Sequence, residues 1–187
     1  MECKGNYLMR ILIDMDGVIS DFDGEFLKRW CERHPEKPYV PIEERTTFYV
    51  KESYPEEHKP LVVEILLEPS FFRDMMPMTG AKEALLEMEK MGLQVFICTS
   101  PLTTYKNCVL EKYQWVEDQL GADWVNRIIL TKDKTLIKAD YLIDDKPNIT
   151  GVESMPAWEH ILYDRPYNRE VNKKRLVWTN WKSVLNL

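Results

Sequence analysis

Arg10-Ile-Leu-Ile-Asp14-Met-Asp16-Gly17-Val18 is a short apolar run that stops in two carboxylates, and Tyr141-Leu-Ile-Asp144-Asp145-Lys146 repeats the pattern near the other end of the chain. Runs of this length and composition read as buried strands. In parallel sheets, ligands collect outside the carboxyl ends of the strands, so both aspartate pairs fall where a site would form.

Working outward, the stretch after Gly80 alternates helical and strand patterns. Ala81, Ala84, Leu85, Met88 and Met91 recur at helical spacing, with Gly92 where a left-handed cap is wanted. The run Leu93 to Ser100 is a strand ending in the hydroxyls of Thr99 and Ser100. The spacing then predicts a helix from about Thr104 to Leu120 with Cys108, Val109, Tyr113, Val116 and Leu120 on one face. Next come a strand at Arg127–Thr131, the basic loop Lys132-Asp-Lys134, the strand ending in Asp144-Asp145, and a fifth strand at His160–Asp164. In isolation, Lys173-Lys-Arg175 with Trp178 and Trp181 resembles a nucleic-acid patch, but the apolar spacing around it predicts a last strand and helix packed on the core.

Strands alternating with helices imply an α/β fold with a parallel sheet and right-handed crossovers. Between Gly17 and Pro77 no strand pattern appears. Helical spacing marks Asp23–Arg33 and Glu56–Leu67, and prolines punctuate the connections. The expected organisation is a Rossmann-like core at 1–17 and 78–187 with a small helical cap at 18–77 inserted after the first strand.

The composition bounds what such a fold can do. The 187 residues, 44% hydrophobic and 30% charged, suffice for one core plus a small lid. A formal net charge of -6 argues against long nucleic acid, which requires a basic face. No apolar run approaches the roughly 20 residues that span a bilayer, so no membrane partner is expected. Cys3, Cys31, Cys98 and Cys108 lack paired metal spacing, and His34, His58 and His160 are widely separated, which suits reduced thiols and a cytoplasmic location. The histidines read as structural or surface residues.

Carboxylates from two strands meeting in a partly desolvated cleft repel one another, and a hard cation is the natural remedy. Oxygen ligands without His or Cys point to Mg2+. Magnesium shares its shell readily with phosphate, whose other oxygens Thr99, Ser100 and Lys134 can satisfy. Asp14 is the expected nucleophile toward phosphorus, and Asp16 the general acid and base two residues on, with Gly17 allowing a tight turn. A calcium loop starting at Asp14 would need an oxygen ligand at Val18 and glycine at Ile19, and has neither.

Asp14-Met-Asp16-Gly17-Val18, Thr99-Ser100, Lys134 and Asp144-Asp145 resemble, in order and spacing, the four motifs of the haloacid dehalogenase (HAD) superfamily. More narrowly, the first motif with Phe22, Phe-Ile-Cys-Thr-Ser-Pro, Ile-Ile-Leu-Thr-Lys-Asp-Lys-Thr, Leu-Ile-Asp-Asp-Lys and Trp-Glu-His-Ile-Leu are similar to the cytosolic and mitochondrial 5′(3′)-deoxyribonucleotidases. The resemblance implies dephosphorylation of nucleoside monophosphates, deoxy forms preferred, and a homodimer. It implies metal ligation by the carboxylates of Asp14 and Asp145 and the backbone carbonyl of Asp16, with Asp144 in support. It assigns the phosphate to Thr99, Ser100 and Lys134, joined by Lys112 if its helix points inward, and the nucleoside to Phe22, Phe48, Tyr49 and Val50. Base preference stays open at Tyr49.

Each assignment has a plainer rival. Lys112 alone reads as a helix-surface charge, Phe22, Phe48 and Tyr49 as cap core, Thr99 and Ser100 as a helix cap, and Lys134 as a solvated loop charge. At the level of activity the rivals are a broader small-metabolite phosphatase or phosphotransferase, since specificity lives in the cap, and a phosphate-responsive regulatory protein that turns nothing over.

Overall fold

The computed structural model describes residues 8–187, which leaves Cys3 and the start of the expected core segment outside the described residues. Strands β1 (Arg10–Ile13), β2 (Gln94–Thr99), β3 (Ile128–Leu130), β4 (Tyr141–Asp144), β5 (Glu159–Tyr163) and β6 (Arg175–Leu176) form one sheet in the order 3-2-1-4-5-6. All five pairings are parallel. Central β1 is apolar on consecutive residues rather than alternately because both faces are covered, and Ile11, Leu12 and Ile13 have no exposed surface.

Register decides where the carboxylates go. Ile13 lies opposite Ile97 of β2 and Ile143 of β4, and the Asp14 amide donates to the Ile143 carbonyl at 2.9 Å. Asp14 and Asp144 therefore leave the sheet side by side. The strand order reverses between these two strands, which makes their carboxyl ends the crevice of the fold.

Among the helices, α1 (Phe22–Arg33), α2 (Lys59–Leu66) and α3 (Phe71–Asp74) lie in the segment between β1 and β2, followed by α4 (Ala81–Lys90). The two legs of that segment pair with each other: Asp21 N donates to Met76 O at 2.7 Å and Met78 N to Ile19 O at 2.9 Å. Arg29 ties them further, reaching Glu25 at 2.6 Å, Glu68 at 3.1 Å and Asp74 at 2.9 Å. Phe26, Trp30 and Tyr54 in the segment share one apolar cluster with Ile11 and Ile13 of the sheet. As expected, α4 buries Ala81, Ala84, Leu85 and Met88, and Gly92 is left-handed at φ 78°, but Met91, read on the same face, caps the helix end and is exposed.

Helix α5 (Cys108–Leu120) starts four residues later than its spacing predicts. The Leu102 amide turns back onto Cys108 Sγ at 3.4 Å, leaving the intervening residues as a loop. Its buried face is also rotated: Cys108, Glu111, Lys112, Trp115 and Val116 point inward, while Val109, Tyr113 and Leu120 are half-buried. Polar residues on that face have buried partners, and apolar periodicity alone cannot find them. Glu111 accepts the amides of Ser70 at 2.7 Å and Phe72 at 3.1 Å, fixing the start of α3. The short α6 (Ala122–Val125) follows, and α7 (Trp181–Leu185) closes the chain, with Trp178 and Trp181 buried as expected.

Candidate active site

A cavity of about 850 Å³ opens over the carboxyl ends of β1, β2 and β4. Asp14, Asp16, Phe22, Phe48, Tyr49, Val50, Thr99, Ser100, Lys134, Asp144 and Asp145 all line it, so residues separated by up to 131 positions converge. That volume suits a small-molecule ligand.

At its floor, Lys134 Nζ lies 2.5 Å from Asp14 Oδ1 and 2.6 Å from Asp144 Oδ2. Burial alone would lower the lysine's pKa, but the two carboxylates outweigh it and raise it, so Lys134 stays an ammonium. It is a buried ion-pair partner rather than a solvated loop charge. Its turn is pinned from both sides: Asp133 accepts the Thr135 amide at 2.9 Å, and Trp158 Nε1 donates to the Lys134 carbonyl at 3.2 Å.

Gly17 follows Asp16, and its φ of 76° is left-handed. A Cβ there would stand 2.5 Å from Asp145 Oδ2, so glycine is required on two counts. Asp16 meets Lys112, whose Nζ is 2.6 Å from Asp16 Oδ1, 3.1 Å from Thr99 Oγ1 and 4.9 Å from the centre of the Phe72 ring. Lys112 has no exposed surface, which corrects its reading as a helix-surface charge. Burial raises the Asp16 carboxyl above the ordinary range even though Lys112 pulls the other way.

Carboxylate oxygens of Asp14, Asp144 and Asp145 lie within 4.8 Å of one another. Asp145 Oδ2 accepts from the Tyr167 hydroxyl, while its Oδ1 is buried without a hydrogen-bond partner. Desolvation, then the charges of Asp144 and Asp14, push the Asp145 carboxyl well above its usual range, and desolvation raises Asp14 too. An orphaned buried carboxylate oxygen beside two like charges fits a hard divalent cation, which would supply the missing partner and offset the repulsion.

The upper wall is aromatic. Phe48 packs edge-on against Tyr49 at 5.0 Å and Tyr167 at 5.9 Å, and Lys146 Nζ stands 5.6 and 5.7 Å over the Phe48 and Tyr49 rings. Tyr49 is 59% exposed, which excludes it from any core, whereas Val50 is buried. Phe22 faces the cavity while its ring meets Phe71 at 5.4 Å. Thr99 is buried; Ser100 is exposed and donates to the Thr131 carbonyl at 2.8 Å.

Pattern reading missed a polar group behind this wall. Asp23 pairs with both Arg45 and Arg165, Arg45 lies 4.6 Å over the Tyr167 ring, and Asn168 Nδ2 donates to the Asp145 and Tyr163 carbonyls at 2.8 Å each. Burial, with Asp145 and Asp23 nearby, pushes the Tyr167 phenol well above its usual range and keeps it a donor. One signal was available: Tyr163-Asp-Arg165-Pro-Tyr167-Asn168 sits at the carboxyl end of β5, where site residues collect.

A 3-2-1-4-5-6 parallel sheet with one aspartate pair after β1 and another at the end of β4 defines a protein of the HAD fold. Solved structures share the fold: a HAD family hydrolase from Deinococcus radiodurans R1, solved with bound phosphate and sodium, superposes with a TM-score of 0.65 at 11% identity over 95% of each chain. A HAD hydrolase from Bacillus subtilis solved bound to magnesium has a TM-score of 0.61 at 10% identity, over 97% of this chain and 100% of its own.

Residues 8–187 match the family described as 5′ nucleotidase, deoxy (pyrimidine), cytosolic type C protein. The chain belongs to this family and is a phosphoric monoester hydrolase of the 5′-nucleotidase type. It is 44% identical to the human cytosolic 5′(3′)-deoxyribonucleotidase over 95% of this chain and 94% of that one, and 41% identical to the human mitochondrial one over 97% and 84%. A Bordetella pertussis protein provisionally given the same name is 49% identical over 95% of both. Among the described residues, no helix is long and apolar enough to cross a membrane.

Proposed function

We propose that the chain is a cytosolic, Mg2+-dependent 5′(3′)-deoxyribonucleotidase that transfers the phosphoryl group of a deoxynucleoside monophosphate to Asp14 and then to water. The observation that carries this reading is the triad of Asp14, Asp144 and Asp145 oxygens within 4.8 Å, with Asp145 Oδ1 lacking any partner. Magnesium bound there by Asp14, Asp145 and the Asp16 carbonyl, with Asp144 in support, would neutralise phosphate charge and polarise the ester. The B. subtilis fold neighbour bound to magnesium agrees with the choice of ion.

Asp14 attacks phosphorus in line, the P–O bond to the nucleoside breaks, and Asp16 gives its proton to the departing oxygen. Burial raises the Asp16 carboxyl above its ordinary range, the direction an acid at this step needs. In the second step Asp16 takes a proton from water as the water oxygen attacks the phosphorus of phospho-Asp14, releasing inorganic phosphate and restoring both aspartates. Lys112 holds Asp16 toward the reacting oxygen. Thr99, Ser100 and Lys134 hold the phosphate, with Lys134 exchanging part of its contact with Asp14 for phosphate oxygen.

Residues 18–77 act as the cap. Phe48, Tyr49 and Val50 form the wall against the base and sugar, with Phe22 on the other side. An aromatic wall open to solvent at Tyr49 supports a planar base lying there, partly stacked.

The test is phosphate release from 5′- and 3′-deoxynucleotides, ribonucleotides and sugar phosphates, with Mg2+ and with EDTA. Magnesium-dependent preference for deoxynucleoside monophosphates is the expected result. Preference for sugar phosphates would keep the chemistry and overturn the substrate, and folded protein without turnover on any of them would overturn the activity.

A further inference from the structure

Behind the aromatic wall, five buried side chains from three distant parts of the chain form one connected group. Tyr167 follows β5 and donates to Asp145 Oδ2. Its ring lies 4.6 Å beneath the Arg45 guanidinium, which comes from the segment between β1 and β2. Arg45 pairs with Asp23 of α1 through one nitrogen and, through the other, donates to the Phe48 carbonyl at 2.5 Å and the Thr47 carbonyl at 3.1 Å. Asp23 is shared with Arg165, two residues before Tyr167. Asp23 and Arg45 are each 4% exposed, Arg165 and Tyr167 9%.

The chemistry of the group is that of a support. A planar guanidinium with its donors in a fixed fork can grip two carbonyls and a carboxylate at once, and Lys cannot reproduce that fork. Buried ion pairs resist partial rearrangement because a charge left alone there is costly. Asp145 and Phe48 therefore cannot shift independently: moving the Phe48 carbonyl drags Arg45, whose face rests on the ring that holds Asp145. Gly17 adds a limit on the other side, since even a Cβ there would strike Asp145 Oδ2.

We infer that Tyr167 and Arg45 are positioning residues that couple the metal-binding carboxylate of Asp145 to the nucleoside-facing wall at Phe48. The cation seat and the base wall are thereby set together: seating a nucleoside against Phe48 favours the Asp145 geometry that binds the cation, and the reverse holds by linkage. This rests on the metal site proposed above.

The experiment titrates Mg2+ calorimetrically into the full chain, with and without saturating thymidine, a deoxynucleoside that carries no phosphate and cannot ligate the ion. Wild type is expected to bind Mg2+ about fivefold more tightly with thymidine present. Tyr167→Phe keeps the ring but loses the hydroxyl, and is expected to weaken Mg2+ about tenfold and to abolish the thymidine effect. Arg45→Lys keeps the charge beside Asp23 but loses the fork, and should abolish the thymidine effect with a smaller loss of Mg2+ affinity. Melting curves in EDTA identify any variant that has unfolded, and for such a position Tyr167→His or Arg45→Gln replaces it in the same titration.

Unchanged Mg2+ affinity in Tyr167→Phe, a thymidine effect that survives in either folded variant, or its absence from the wild type would each overturn the coupling. Wild type that binds no Mg2+ at all would instead overturn the metal site itself, and the coupling with it, before any variant is measured.

Discussion

Lys112 Nζ sits 2.6 Å from Asp16 Oδ1 across 96 residues of sequence, on a helix whose other inward residues are mostly apolar. A fully buried ammonium is tolerated there because Asp16, Thr99 and the Phe72 ring together replace its water. Lys112→Met fills the same slot without the charge. It should fold, and it should lower kcat by about 10² or more by leaving Asp16 unheld. A loss of only a few-fold would remove Lys112 from the acid–base step.

Asp14→Asn should abolish turnover with the fold intact. Desolvation and the Asp144 charge oppose ionised Asp14 more than Lys134 favours it, so neutralising Asp14 relieves the native state, while Lys134 keeps Asp144. The melting temperature in EDTA should stay level or rise. Measurable phosphate release would rule out the covalent route.

Chelation should stop the reaction, and Mg2+ should restore it. Asp145→Asn should shift the Mg2+ concentration for half-activation upward by at least about tenfold, with a much smaller change in KM for the nucleotide at saturating metal. An unshifted half-activation point would take Asp145 out of the ligand set.

Gly17→Ala combines a left-handed φ of 76° with a Cβ 2.5 Å from Asp145 Oδ2. The backbone penalty alone is about 1–2 kcal/mol. For a chain of this size that lowers the melting temperature by about 2–8 °C. Activity should fall further than stability, since the clash falls on the proposed metal ligand, and thermal melts beside Mg2+-dependent rates would show whether it does.

Thiol chemistry tests the packing independently of activity. Burial pushes the Cys98 thiol up to about 12 and raises Cys108 as well, whereas Cys31 is exposed. The thiolate is the reactive form, and at pH 8 about one Cys98 in 10⁴ would carry it. Peptide mapping after alkylation should find Cys31 modified in the native protein, and Cys98 and Cys108 only after denaturation. Native labelling of Cys98 would mean that the sheet beneath the site opens.

The strand-end residues Asp14, Asp16, Thr99, Ser100, Asp144 and Asp145 were legible in the sequence because each ends a buried apolar run, and a parallel sheet gathers such ends at one edge. Lys112 came into view only through the family resemblance, since its burial depends on partners from two other strand ends, and spacing along a helix carries no trace of them. The Asp23–Arg45–Arg165 cluster is darker still. Its charges come from a helix's first turn, a proline-rich stretch and a loop, each of which alone reads as solvated surface. The late start of α5 has a local cause, because a turn of six residues from Leu102 N onto Cys108 Sγ overrides a pattern that continues the helix backward.

Glu111 and Lys112 are neighbours on α5, one gripping the amides of Ser70 and Phe72, the other gripping Asp16. A single stiff rod thus carries both the anchor of the insertion's returning leg and the handle on the acid. For a lineage drifting toward new substrates this ties residues 70–72 to the acid: change there would reach the proton before it reached the base.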